Sequence, residues 1–163
     1  MAFRFPKEAR EYFKGIMSER GGQRQNMFNM FDIYYYCLLM GLAINKIDTD
    51  ESSLGEEFQK GYPDQFKEHK DFLTALLISS ELKRNNTHKD DKSFQTIMLQ
   101  MINVNEASQL SDLGYQRMNE YALKGFIEIK ETLPFYPITR EDFLTSFYGL
   151  LNDRTTSENK KGF

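Results

Sequence analysis

The 163-residue sequence has no tryptophan, one cysteine, two histidines and four prolines. A single cysteine, Cys37, excludes an intrachain disulfide and with it the disulfide-stapled scaffolds. His69 and His88 form no His-x-x-x-His pair and have no cysteine partner, which excludes the common zinc patterns. His69 stands among Lys67, Glu68, Lys70 and Asp71 and reads as a solvated side chain. There is no G-x-x-x-x-G-K-[ST], no G-x-G-x-x-G and no G-x-S-x-G, so the phosphate loop, the dinucleotide fingerprint and the nucleophile elbow are all missing. The most apolar stretch, Ile33 to Ile44, is bracketed by Asp32 and Lys46. It falls short of the ~20 residues a membrane span requires. The opening Met1-Ala2-Phe3-Arg4-Phe5-Pro6 lacks the apolar run of a secretory leader, and Ala2 stands where N-myristoylation needs glycine. A lone thiol and no leader lead us to expect a cytoplasmic chain with no membrane partner.

What the chain does have is aromatic mass, as 14 Phe and 9 Tyr, with 40% apolar and 28% charged residues. That composition excludes a disordered or collagen-like chain and can close one core without a staple. The net charge is -3, but it is unevenly spread. Residues 1–24 carry Arg4, Lys7, Arg10, Lys14, Arg20 and Arg24 against Glu8, Glu11 and Glu19, a net +3 that leaves −6 for the remainder. A basic arm on an acidic body suggests an acidic partner at one end.

The dominant period is helical. After Pro6, a good first residue for a helix, Ala9, Tyr12, Phe13, Ile16 and Met17 make one apolar stripe that ends at Gly21-Gly22. Asn26 is placed to cap a second helix, apolar on every face from Met27 to Ile44, which should form the centre of a bundle. Cys37 within it reads as a small core hydrophobe. Residues 45–62 are a polar, acidic connection with room for a short helix near Leu54–Lys60. Pro63 then opens a long helix through Leu73, Leu76, Leu77 and Ser80. Asp90 or Asp91 and then Ser111 cap two more, the second carrying Tyr115, Met118, Ala122, Phe126 and Ile129 inward. Gly125 inside that helix points to close helix packing. Thr139 and Asp142 open the last helix, with Phe143, Phe147 and Leu150 on its inner face. The expectation is an all-α, single-domain bundle of about five or six helices around residues 27–44. The domain spans 1–152, residues 153–163 form a flexible polar tail, and Ala2–Phe5 is a short strand if it pairs with another chain.

No constellation of residues announces chemistry. Asp48, Asp50 and Ser52 echo a calcium loop, but Ser53 stands where glycine is needed and Gln59 where glutamate is needed. We therefore expect no metal, no cofactor and no catalytic residue. A small hydrolase would have to use the acids of residues 48–57, with Asp48 and Asp50 first among them. Arg4, Lys7, Arg10 and Lys14 recur at helical spacing and can form a ridge along phosphates or an acidic protein, extended by Arg20 and Arg24.

The opening Phe3-Arg4-Phe5-Pro6-Lys7-Glu8-Ala9-Arg10-Glu11-Tyr12, followed by a second helix ending Leu38-Leu39-Met40-Gly41-Leu42-Ala43, resembles the DndE family, small subunits of bacterial DNA phosphorothioation systems. The chain departs from that family in its greater length and in the wide Ser18–Asn26 connection. The segments Phe72–Arg84 and Leu110–Ala122 are similar to small bacterial proteins of DNA-modification and phage-defence operons. The resemblance implies a non-catalytic accessory subunit in a DNA-directed assembly, acting by protein contact. Its partners would be larger subunits such as an ATPase or a nuclease, with DNA or further copies of the chain as other candidates. DNA binding through the basic N-terminal helix is the alternative.

Overall fold

A helix that is apolar on every face has to be enclosed on every face. In the computed structural model, which describes residues 1–18, 27–87 and 90–161, that helix becomes the axis of the molecule. The chain runs β1 (Phe3–Pro6), α1 (Ala9–Tyr12), α2 (Met30–Ile44), β2 (Leu54–Gln59), α3 (Lys70–Arg84), α4 (Asp91–Met101), α5 (Asp112–Thr132) and α6 (Arg140–Lys161). Short 3-10 turns at Glu51–Ser53 and Asp64–His69 precede β2 and α3. The molecule is mostly helical, with six α-helices among the described residues and one two-stranded sheet, so it is not strictly all-α.

Helix α2 starts at Met30 rather than at residue 27. Its cap is Asn29, whose Oδ1 accepts from the Asp32 N–H at 2.9 Å while the Asp32 carboxylate accepts from the Asn29 N–H at 2.8 Å. Asn26 lies outside the described residues. This reciprocal pair satisfies two N–H groups that the first turn would otherwise leave bare. Ile33, Tyr34, Cys37, Leu38 and Met40 are all buried. Burial pushes the Cys37 thiol pKa well up, so the residue packs as a hydrophobe.

Helix α5 crosses α2 at two glycines. A Cβ built on Gly125 would collide with the Cys37 carbonyl, and one built on Gly41 would collide with the Tyr121 carbonyl. The two backbones therefore touch, and no side chain fits between them. Tyr115, Met118, Ala122, Phe126 and Ile129 of α5 are buried as their spacing predicts. Ser111 caps α5 by accepting from the Gly114 N–H at 3.0 Å, Asp90 caps α4 through the Ser93 N–H at 2.7 Å, and Thr139 accepts from the Asp142 N–H at 3.1 Å ahead of α6.

The N-terminal quarter differs from the expected long amphipathic helix. Phe3–Pro6 pairs antiparallel with Leu54–Gln59, so the short strand finds its partner inside the chain and the expected helix near Leu54–Lys60 is a strand instead. The reason is a period-two burial, with Phe3 and Phe5 inward. The Phe3 ring sits among Phe31, Tyr34, Tyr62 and Tyr115, with centroids 5.0–5.3 Å away. Only one helical turn follows, at Ala9–Tyr12. The stripe Ala9, Tyr12, Phe13, Ile16 and Met17 still points inward, carried by successive turns rather than by a helix.

At the other end, α6 continues to Lys161 through the segment expected to be a flexible tail. The Arg154 guanidinium pairs with Glu128 of α5 at 2.6 Å and ties that extension to the body.

Gly125→Ala should test the crossing. The substitution adds helix propensity worth about 1 kcal/mol but forces α2 and α5 apart, and overpacking of this kind costs about 1–3 kcal/mol or more. We expect net destabilisation in a urea unfolding titration. Exposed Gly149→Ala, whose Cβ meets nothing within 4 Å, should be neutral or stabilising.

Candidate functional site

Of the six basic residues that the sequence groups together, the structure describes four, Arg4, Lys7, Arg10 and Lys14. Arg4 lies on β1, not on a helix. Its Nε donates to the Gly55 carbonyl at 2.9 Å and its Nη2 to the Leu54 carbonyl at 3.4 Å, with the Glu51 carboxylate 4.0 Å from Nη1. It clamps β1 to β2 and is not free to track phosphates. Lys7 follows in the turn after β1, exposed. Arg10 is exposed on the single turn of α1, its Nη2 3.6 Å from the Met30 sulfur, and Lys14 is exposed beyond it. A continuous helical ridge through Arg4, Lys7, Arg10 and Lys14 is therefore absent, because the helix that would carry it is one turn long. Arg20 and Arg24 lie outside the described residues.

Arg4 and Lys7 line a cleft of about 790 Å³ between the β-ribbon and α5, together with Glu51, Glu56, Glu57 and Glu120. The α5 wall carries a chain of buried polar groups. Asn119 accepts from the Arg4 N–H at 3.0 Å and the Tyr34 hydroxyl at 2.8 Å, and donates to the Ala2 carbonyl at 3.1 Å. One side chain thereby fixes β1 against both central helices. Glu81 of α3 and Glu120 of α5 are each 2% exposed. Glu81 accepts from Arg84 at 3.0 and 2.9 Å, from the Tyr121 hydroxyl at 2.9 Å and from Arg117 Nε at 3.3 Å. Glu120 accepts from Arg117 Nη1 at 2.5 Å and from Gln116 at 2.9 Å. Every carboxylate oxygen of the pair is occupied by its own fold. Buried charges persist when they are paired and hydrogen-bonded in this way, and the network joins α3 to α5.

The acids of residues 48–57 are likewise used locally. Asp50 accepts from the Ser52 N–H and from the Ser52 and Ser53 hydroxyls, and these hydrogen bonds hold its carboxyl below the usual range. Asp48 accepts from the Asp50 N–H at 2.9 Å. These contacts shape the turn into β2. Among the described residues no group of three His, Cys, Asp or Glu is placed to hold a metal ion, and no helix is long and apolar enough to cross a membrane.

The surface feature that sequence reading passed over is the α5–α6 connection, Leu133-Pro134-Phe135-Tyr136-Pro137-Ile138. Phe135 is 81% exposed, Tyr136 70% and Ile138 78%. The loop is held in place from beneath. Pro137 is buried, its carbonyl oxygen 2.8 Å from where a Cβ on Gly15 would stand, and the Tyr136 ring lies 5.3 Å from that of Tyr12. Two prolines with fixed φ stiffen it. The result is a pre-shaped, exposed apolar loop, a knob whose residues line, with Asp142, Phe143, Thr145 and Ser146 of α6, a cleft of about 410 Å³. Its signal was available in the sequence as two aromatics between two prolines, flanked by Leu133 and Ile138, in a connection that needs no apolar residue. A second apolar feature, a groove of about 340 Å³, runs over α2 between α3 and α6.

Compared with known proteins, the chain matches no protein-family model, no curated protein and no solved structure.

The Glu81 network has a pH signature. Burial alone would raise the Glu81 pKa, but hydrogen bonds from Arg84 and Tyr121 and the charges of Arg84 and Arg117 outweigh it and hold the carboxyl below its ordinary value of 4.5. A depressed native pKa gives stability that is present above the unfolded value and is lost as pH falls through the folded one. Glu81→Gln should cost about 2–3 kcal/mol at pH 7. That gap should narrow steadily as the pH is lowered below 4.5, as read by urea unfolding of both proteins across the range. A gap that stays constant with pH would show that Glu81 is not ionised in the folded protein.

Proposed function

We propose that the protein is a non-catalytic subunit that works by protein–protein contact within a DNA-directed bacterial assembly of the modification or defence type. The observation that carries the contact reading is the knob. Scattered exposed apolar residues are ordinary on a protein surface, whereas a contiguous rigid cluster of two aromatics and an isoleucine marks a place meant to be covered. Because the prolines already hold the loop, docking it costs little conformational entropy. The polar interior supports the same reading, since the buried Glu81 and Glu120 carboxylates are committed to the partly exposed Arg84 and Arg117 rather than presented to a substrate. The assembly itself is inferred from the DndE-like opening and the defence-operon-like later segments.

The test is affinity purification of the tagged chain from its native cells, beside a Phe135→Ser/Tyr136→Ser/Ile138→Ser variant. Wild type should bring down a larger subunit, such as an ATPase or nuclease, in stoichiometric amount. The variant should lose it while keeping an unchanged thermal melt, because all three side chains lie outside the core. Recovery of the wild-type chain alone would overturn the reading.

A second reading, direct DNA contact, is favoured by one observation: Lys7, Arg10 and Lys14 are all exposed on a single short stretch of chain. It predicts duplex binding that weakens with salt. The triple alanine variant should lower the log–log salt slope by about 3 at most, one unit or slightly less per lost phosphate contact. Absence of binding at low salt would remove this reading.

A further inference from the structure

The β-ribbon has one closed side and one open side. On the outer side of β1, Asn119 accepts from the Arg4 N–H and donates to the Ala2 carbonyl. On the outer side of β2 there is no such cover. Its sheet holds two strands among the described residues, and no other described helix or strand runs along it. A strand carries N–H and C=O groups toward both of its neighbours. Outside the β1–β2 ladder, no hydrogen bond among the described residues reaches the main chain of Glu56, Glu57 or Phe58. An edge of this kind is a template for one more strand unless it is guarded.

Here the guard is selective. Glu56 and Glu57 are exposed in the middle of β2 and have no ion-pair partner among the described residues. β2 spends six residues against the four of β1, and the register shifts that result bend it. Pairing of β2 with β2 of a second copy would set these glutamates against themselves, and like charges across a strand pair repel. A segment with basic side chains meets the opposite case. The nearby cations do not cancel the acids. Arg4 is engaged by the Leu54 and Gly55 carbonyls and by Glu51, Lys7 stands within electrostatic reach of Asp50, and Lys60 lies just past the end of the strand. Residues 48–60 carry five acids and one lysine, and with Arg4 and Lys7 added the balance is −2. Phe58, half-buried with its ring 5.9 Å from that of Phe5, leaves apolar surface that a neighbouring side chain can cover.

We infer that β2 takes up an extended, lysine- or arginine-bearing segment of another protein as a third strand. Main-chain hydrogen bonds give the affinity, and the two glutamates choose a basic partner and reject a second copy. This edge lies apart from the Phe135–Ile138 loop, so the inference goes beyond the contact assigned to that loop and does not rest on it.

The test titrates the full chain with a fluorescent peptide of alternating lysine and valine, read by anisotropy and by amide hydrogen exchange. The peptide should bind, salt should weaken it, and amides of β2 should gain protection. A glutamate–valine peptide should not bind. N-methylation of every second peptide amide removes N–H groups and keeps the charge. In one of its two alternating registers it should weaken binding about tenfold or more. Glu56→Lys/Glu57→Lys should weaken binding by a similar factor with an unchanged thermal melt, because both side chains are exposed. Glu56→Gln/Glu57→Gln should fall between that variant and wild type. No binding at low salt, equal binding of the glutamate peptide, indifference to methylation in both registers, or β2 amides left unprotected would each overturn the inference. The loop variant Phe135→Ser/Tyr136→Ser/Ile138→Ser should bind the peptide as wild type does. If that variant loses its co-purifying subunit and keeps the peptide, both readings stand. If the wild type binds the peptide and brings down no subunit, only the larger assembly falls.

Discussion

The contact on which the rest of the molecule depends is the one between the backbones of α2 and α5 at Gly41 and Gly125. With no side chain between them, the helices approach closely enough for α5 to bring a polar ridge against the apolar axis. Asn119 then reaches the Tyr34 hydroxyl, and Tyr121 reaches Glu81 on α3. Larger residues at either glycine would lift this face away from its partners and leave buried donors and acceptors unmet, each at a cost of about 1–3 kcal/mol. The crossing and the polar network are therefore one device: the glycines set the distance and the hydrogen bonds set the register.

The N-terminal strand depends on that device in turn. β1 and β2 alone would be a two-stranded ribbon, which is marginal in water. It persists because Asn119 holds both the Ala2 carbonyl and the Arg4 N–H, while the Phe3 ring fills a nest of four aromatic rings. Arg4, a basic residue by composition, is spent on closing the ribbon. This is why charge counted along the sequence overstates the charge that the N-terminal segment can offer a partner.

The readable parts of the sequence were those set by local physics. The all-round apolar run gave the central helix, Gly125 gave the close crossing, and Asp90, Ser111 and Thr139 gave three helix starts, because capping and periodicity act within a few residues. The β-ribbon was not readable, since its pairing joins Phe3 to Gln59 and a strand of four residues carries almost no pattern of its own. The stripe Ala9 to Met17 misled for a related reason. Its residues are all buried, but a chain of turns around a core can bury the same positions as a helix does. Of the candidate sites, the cationic residues were visible as charges and not as geometry. The knob was missed because apolar residues in a loop break the rule that assigns them to a core.

The same separation of interior and exterior bears on how the protein can act. Its buried carboxylates, Glu81 and Glu120, are held by Arg84 and Arg117, whose side chains reach the surface already paired. The apolar knob and groove sit toward opposite ends of α6, a helix anchored through Phe143, Phe147 and Leu150 in the core and through Arg154 on Glu128. Both features are thus presented by a frame that need not rearrange to bind. A loop held by two prolines and seated on Gly15 and Tyr12 is already ordered, so covering its exposed side chains would cost little conformational entropy.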